Sequence, residues 1–106
     1  MSVKDFGSLF KQAQEMQSKM AEVQRDLAEK KVEVSTGGGM VKIVANGVNE
    51  IVSVHIDDEL INMNDREVLE DLITGAINEV HRKVKELAQE EMTRFTGGVK
   101  IPGLFP

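Results

Sequence analysis

The chain lacks cysteine, tryptophan and tyrosine, and it has only two prolines in 106 residues. The absence of cysteine excludes a disulfide framework, a thiolate zinc site and a thiol nucleophile. Four phenylalanines are the only aromatic side chains. Recognition of single-stranded nucleic acid by base stacking is therefore not expected.

Long hydrophobic runs are missing as well. No apolar run approaches the roughly 20 residues that a helix needs to span a bilayer, and the first residues, MSVKDFGSLFKQ, lack the apolar core of a signal peptide. We therefore expect a cytoplasmic protein with no membrane partner. The length suits one domain over residues 1–106, with a modest core that a second chain would help to complete.

Motifs for catalysis or ligand binding are also lacking. No nucleophile motif of the G-x-S-x-G type occurs, and His55 and His81 show no sign of converging. The triple glycine of TGGGMVK leads into a strand instead of a helix, which favours a tight turn over a phosphate loop. The acidic run 57–59 lacks the spaced oxygen donors and central glycine of a calcium loop. We expect no enzyme, no cofactor, no metal site and no small-molecule substrate.

Residues 36–56 contain two apolar alternating runs joined by Asn46-Gly47. Asn-Gly is a strong hairpin signal because both residues tolerate positive φ, although the polar run through Asn49 favours a loop longer than two residues. The second run predicts a half-buried strand with Val52, Val54 and Ile56 on one face, and Ile51 is the exception on its polar side. The short alternation at 32–34 predicts a third strand that pairs with this hairpin.

The first helix carries an apolar seam with the 3,4 spacing of a coiled coil over three heptads. The seam consists of Phe6, Leu9, Ala13, Met16, Met20, Val23 and Leu27. Such a seam needs a helical partner, which could be the C-terminal helix of the same chain, the same helix of a second chain, or both. Leaving seven apolar side chains exposed to solvent would cost too much free energy in so small a domain, so we predict that the seam packs between chains.

A second, longer helix is predicted from about Asp65 to Phe95, with a broad apolar stripe and a capping box formed by Asn64 and Glu67. Residues 1–96 would then form a helix-sheet-helix body. Gly97, Gly98 and Pro102 cannot continue the helix, so residues 97–106 are expected to form a short tail. The fold class predicted is α+β.

Charge is distributed unevenly along the chain. The net charge is −5, but residues 57–74 hold seven carboxylates against Arg66 alone, whereas residues 1–32 and residues 75–106 are each slightly basic. On the side of the first helix away from the seam lies a basic stripe, Lys4, Lys11, Lys19 and Arg25. It could be a solvated face with the i,i+4 pairs Glu15–Lys19 and Asp26–Lys30. It could also be a row of cations that follows a phosphate backbone.

Three stretches together resemble the YbaB/EbfC family of small bacterial nucleoid-associated proteins: GGGMVKI, EDLITGAINEVHRKVKELAQEEM, and the terminal TGG followed by PGLF. The resemblance covers nearly the whole chain. It implies a helix, three antiparallel strands and a long helix, assembled as an intertwined homodimer, and it implies DNA binding through basic residues on the helices. Carried onto this sequence, the candidate contacts are Lys4, Lys11, Lys19, Arg25, Arg82, Lys83 and Lys85.

The function expected is that of a nucleoid-associated homodimer that binds duplex DNA through phosphate contacts with little sequence specificity. The alternative is a dimeric protein-interaction module that binds partner proteins through its apolar helix arms or its tail, without direct DNA binding. Six methionines and Phe105 would suit such adaptable binding.

Overall fold

The computed structural model describes the backbone of residues 3–95 and the side chains of residues 5–95. Its elements are α1 (Val3–Glu29), β1 (Lys31–Thr36), β2 (Val41–Asn46), β3 (Ile51–Ile56), α2 (Asp58–Asn62) and α3 (Arg66–Phe95). The predicted α+β fold class is confirmed. In chain order, a long helix is followed by a three-stranded antiparallel sheet and then by a second long helix. The predicted tail, 97–106, lies outside the described residues. Within residues 3–95 no helix is both long enough and apolar enough to cross a membrane.

The sheet has the strand order β1-β2-β3, and both pairings are antiparallel. The three glycines between β1 and β2 form a tight 3₁₀ turn, as the sequence indicated. All three have positive φ, between 62° and 95°, which glycine adopts without steric cost. The Thr36 hydroxyl donates a hydrogen bond to the Leu72 carbonyl at 2.8 Å and so fixes this end of the sheet to α3.

The loop between β2 and β3 spans residues 47–50, longer than two residues as expected, but its conformation differs from the prediction. The positive φ belongs to Asn49, at 66°, and not to Asn46 or Gly47. The buried Asn46 side chain organises the loop, because its Oδ1 accepts hydrogen bonds from the backbone N–H groups of Val48 and Glu50. Gly47 instead lets the loop approach the end of α1 closely, since its N–H donates a hydrogen bond to the Leu27 carbonyl at 2.8 Å.

The main core lies between α3 and the first two strands. Val34, Val41, Ile43 and Ala45 from the sheet pack against Ala76, Val80 and Val84 of α3, with Leu60 of α2 beside them. No helix was predicted between Ile56 and Asp65, yet α2 lies there and contributes the buried Leu60. The cap of α3 also differs from the prediction: Asp65, not Asn64, accepts the hydrogen bond from the Val68 N–H.

The strand β3 is exposed on both faces of the described protomer. Val54 pairs with the core residue Ile43, and Ile56 pairs with Val41, so both share the core-facing side as predicted. A register shift next to Ala45 brings Ile51 opposite that core residue, which explains the exception in the alternation. The predicted half-burial is nevertheless absent, since Val52 and Val54 remain 49% and 53% exposed.

A second cluster joins α1 to α3. Val23 and Leu27 pack with Met92, and Met20, Leu87 and Phe95 are partly buried around them. The C-terminal part of the seam thus packs against the C-terminal helix of the same chain, whereas packing of the seam between chains stays a prediction. Phe6, Leu9 and Met16, in the N-terminal part, are each more than half exposed.

Candidate nucleic-acid interface

The basic stripe lies along the outer side of α1. Lys11, Lys19 and Arg25 are exposed and make no ion pair within the side chains described, residues 5–95. At about 100° per residue, these three fall within roughly 120° of one another and opposite the seam. Lys4 lies in the first turns of α1, but its side chain is outside the described residues.

Carboxylates interleave with this stripe. Helical geometry places Glu15 and Glu22 within about 40° of Lys11. The predicted pair Glu15–Lys19 does not form, and Lys30 pairs with Glu91 of α3 instead of Asp26. Within the described side chains, Lys11, Lys19 and Arg25 are thus cations without an ion pair on a face of mixed charge, where the longer Lys and Arg side chains reach further into solvent than Glu does.

Arg82, on α3, is already occupied by carboxylates. Its Nε and Nη2 donate to the two oxygens of Glu79, the former at 3.1 Å, and its Nη1 donates to Glu86. The hydrogen bond from Arg82 lowers the pKa of Glu79, and the same bond raises the pKa of Arg82. A phosphate would have to displace these partners before it could bind Arg82.

Lys83 and Lys85 lie on different sides of α3, because residues two apart on a helix do not face each other. Lys83 donates to the Glu33 carbonyl of β1 at 3.3 Å, whereas Lys85 is exposed and makes no ion pair among the described residues. The structure therefore does not bring the three α3 candidates together on one surface.

Lys42 is a cation that sequence reasoning did not connect to the site. It lies with Lys83 in a cleft of about 310 Å³ at the β1 edge, which Glu33 and Glu79 also line. Alternation in β2 marked Lys42 as solvent-facing, but it could not show which helix residue lies beside it. Two ammonium groups and two carboxylates give the cleft no preference for an anion.

The acidic segment, residues 57–74, and the basic stripe lie at opposite ends of the sheet. The C-terminal end of α1 leads into the Lys31–Asn46 end of the sheet, whereas Asp57 follows the opposite end, where its backbone N–H donates to the Met40 carbonyl. The strand between these ends covers about 17 Å. Because charges in solvent are screened over about 8 Å at physiological salt, the acidic segment has little influence on the stripe.

Comparison with known proteins gave consistent matches. Residues 1–99 match the YbaB/EbfC DNA-binding family. A nucleoid-associated protein of Desulfotalea psychrophila is 46% identical over 94% of each chain, and one of Ruminiclostridium cellulolyticum is 47% identical over 95% of this chain and 89% of its own. The crystal structure of an uncharacterized Helicobacter pylori protein aligns with a TM-score of 0.74 over 91% of this chain and 98% of that one. At 24% identity, that structure supports the fold alone.

Proposed function

Because the chain belongs to the YbaB/EbfC DNA-binding family, we propose that it binds duplex DNA as a homodimer, mainly through phosphate contacts and with little sequence specificity. This family is a DNA-binding family and not an enzyme family. The named relatives are nucleoid-associated proteins, and the nucleoid is the proposed location of this protein as well.

One observation carries the proposal of phosphate contacts. The described cations of the stripe, Lys11, Lys19 and Arg25, are exposed and unpaired, on the side of α1 opposite the seam. They can bind phosphates without breaking an existing ion pair, whereas Arg82 and Lys83 must first leave their partners. We therefore assign the larger contribution to α1, with Lys4 as its proposed fourth cation and with Arg82, Lys83 and Lys85 as secondary contacts.

Low sequence specificity follows from the residue types and their setting. Phosphate contacts fix the position of a protein on DNA but carry no base sequence, which is read from base edges in the grooves. The interleaved carboxylates limit how closely the face of α1 can approach the duplex, so its long cationic side chains reach phosphates first. Binding of this kind is expected to be sensitive to salt.

The homodimer is supported by the exposed strand β3. Its core-facing side carries Val54 and the partly buried Ile56, while α3 covers the neighbouring strands. An edge strand with apolar side chains, and with no lysine or proline to protect it, readily pairs with another chain. We propose that a second copy covers this surface, so that two α1 helices are presented by one particle.

Charge reversal of the stripe tests the DNA contacts. The variant K11E/K19E/R25E should lose most of its retardation of duplex DNA in a gel. The matched control K31E/K42E/R66E makes the same change in net charge at exposed sites elsewhere and should retain binding. Equal losses in both variants, or full binding by the first, would remove the stripe from the proposal.

Salt dependence provides an independent measurement. If all six described stripe cations of a dimer contact phosphates, the logarithm of the association constant should fall against the logarithm of salt with a slope of about −5. Affinity that does not change with salt would contradict phosphate binding.

The exposed apolar side chains Phe6, Leu9, Phe10 and Met16 favour the second candidate function, a dimeric protein-interaction module without direct DNA binding. Such large exposed patches often mark interaction sites. The two candidates differ in one result, because a protein-interaction module would not retard duplex DNA even at low salt.

A further inference from the structure

The N-terminal part of α1 is an arm whose apolar side is uncovered. We define the arm face as Phe6, Leu9, Phe10, Ala13 and Met16. Phe6 is 67% exposed and Phe10 is 61% exposed, whereas Val23 and Leu27, further along the same helix, are only 8% and 4% exposed. The change occurs near Met20, where contact with α3 ends.

Phe10 makes the arm face wider than a coiled-coil seam. It lies one turn after Phe6 and outside the 3,4 repeat, so the apolar surface here is a broad stripe of the kind that faces a core. A single straight helix packed along the 3,4 repeat would leave Phe10 uncovered. An occupant that can fit around two rows of side chains suits this surface better.

The course of α3 shows where the chain leaves the body. Leu72 lies beside Thr36, Lys83 beside Glu33, and Glu91 beside Lys30. The helix therefore follows β1 in reverse and then runs antiparallel to α1. It ends at Phe95, which packs on the cluster of Val23, Leu27 and Met92. The chain after Phe95 thus starts next to the arm face, at the point where the cover of α1 stops.

The sequence that follows has the length and composition to cover this face. From Met20 to Phe6 is about 21 Å along a helix. Residues 96–106 can span up to about 36 Å when extended. They include Val99, Ile101, Leu104 and Phe105 with Lys100 as the only charged residue, and Pro102 prevents a regular helix.

We infer that residues 97–106 bind the arm face of their own chain, with Ile101, Leu104 and Phe105 packed against Leu9, Phe10 and Phe6. Tethering at Phe95 gives this segment an effective concentration in the millimolar range at the arm face, which a separate chain does not have. The basic stripe, on the opposite side of α1, stays accessible in this arrangement. The inference does not depend on DNA binding.

A tryptophan reporter tests the contact, and the absence of native tryptophan makes it unambiguous. In F105W, the emission should be blue-shifted and protected from iodide quenching compared with a free indole. Adding Phe10→Asp should shift the emission to the red and abolish the protection. Adding Ser8→Asp, which places the same charge at an exposed position on the side of the helix opposite Phe10, should leave both unchanged. An indole that is fully quenched in F105W alone, or one indifferent to Phe10→Asp, would overturn the inference.

Cysteine pairs distinguish the chain's own segment from that of a second copy, since the protein has no native cysteine. On oxidation, L9C/I101C should form a disulfide within one chain, and the control K11C/I101C, on the far side of α1, should form several-fold less. A product of twice the chain mass on a non-reducing gel would assign the arm face to a second chain. Equal crosslinking of both pairs would show no preferred site. Either result would overturn the inference, as would the absence of crosslinking in L9C/I101C.

Discussion

Glu91 of α3 accepts a hydrogen bond from Lys30, which lies 61 residues earlier, just after the C-terminal end of α1. The Glu91 side chain is only 7% exposed, and Arg94 Nη2 contacts the same oxygen at 2.6 Å. The hydrogen bond from Lys30 lowers the pKa of Glu91 against the opposing effect of burial, and Arg94 adds to the lowering. This cluster ties the end of α1 to the part of α3 that extends past the sheet.

Replacing Lys30 tests how much this contact stabilises the protein. Lys30→Met removes the charged donor but keeps a long apolar stem, so it leaves the Glu91 carboxylate with Arg94 alone. We expect a loss of about 1–3 kcal/mol in the free energy of unfolding, measured by urea denaturation. Lys31→Met, at an exposed neighbour without an ion pair among the described residues, should change the stability much less. Equal effects of the two substitutions would contradict the assignment.

The lowered pKa of Glu91 predicts a dependence of stability on pH. In the unfolded chain Glu91 should titrate near 4.3, above its value in the folded protein. The stabilisation is therefore complete above that pH and is lost as the pH falls through the folded pKa. The stability difference between the natural protein and Glu91→Gln should be constant above about pH 5 and shrink in more acidic solution. Glu90→Gln, at the exposed adjacent position, is the control for the loss of one carboxylate charge. A difference that grows on acidification would have the wrong sign.

Gly47 is predicted to be intolerant of a side chain. A Cβ atom there would lie 2.5 Å from the Leu27 carbonyl oxygen, and that backbone cannot move away easily because it ends α1. Gly47→Ala should destabilise the protein by about 1–3 kcal/mol in thermal or urea unfolding. Gly7→Ala is the matched control, since nothing lies within 4 Å of the added atom. In a helix that change should stabilise by about 0.5–1 kcal/mol. A tolerated Gly47→Ala would show that the loop can separate from α1.

The proposed dimer surface can be tested at Val54. Val54→Asp places a carboxylate on the core-facing side of β3, which is half exposed in one protomer and would be buried in the dimer. Sedimentation equilibrium should show particles near 11.7 kDa for this variant and twice that mass for the natural protein. Ser53→Asp changes the opposite face of the same strand and should leave the dimer intact. Dissociation by Ser53→Asp alone would place the interface on the other face.

Much of the fold was predictable because it depends on local patterns. The alternation in 41–46 and 51–56, the glycine turn at 37–39 and the apolar stripe of α3 each follow from neighbours within a few residues. Local patterns did less well where several side chains could serve the same role. Asp65 and Asn64 are both good caps, and only the path of the chain from α2 decided in favour of Asp65.

The candidate site was less predictable than the fold. Helical spacing predicts Lys11, Lys19 and Arg25 on one side of α1, and the structure shows that all three lie on that helix and are exposed. The same spacing treated Arg82, Lys83 and Lys85 as equivalent. The structure distinguishes them by their partners: two carboxylates for Arg82, a β1 carbonyl for Lys83, and no ion pair within the described part of the chain for Lys85. Ion pairs between residues 50 or more positions apart leave no periodic signal in the sequence. The sequence therefore could not show that Lys30 pairs with Glu91 and not with Asp26.

The sequence by itself determined the order and type of the main elements, the direction in which each helix face points and the unequal distribution of charge, because backbone geometry sets these over short distances. Only the tertiary structure decided which apolar faces are covered. It packs α3 on β1 and β2 and on the last turns of α1, and it leaves β3 and the arm face exposed. The physical reason is that burial depends on how far each element reaches past its neighbours, and a hydrophobic pattern specifies a face without specifying what lies against it.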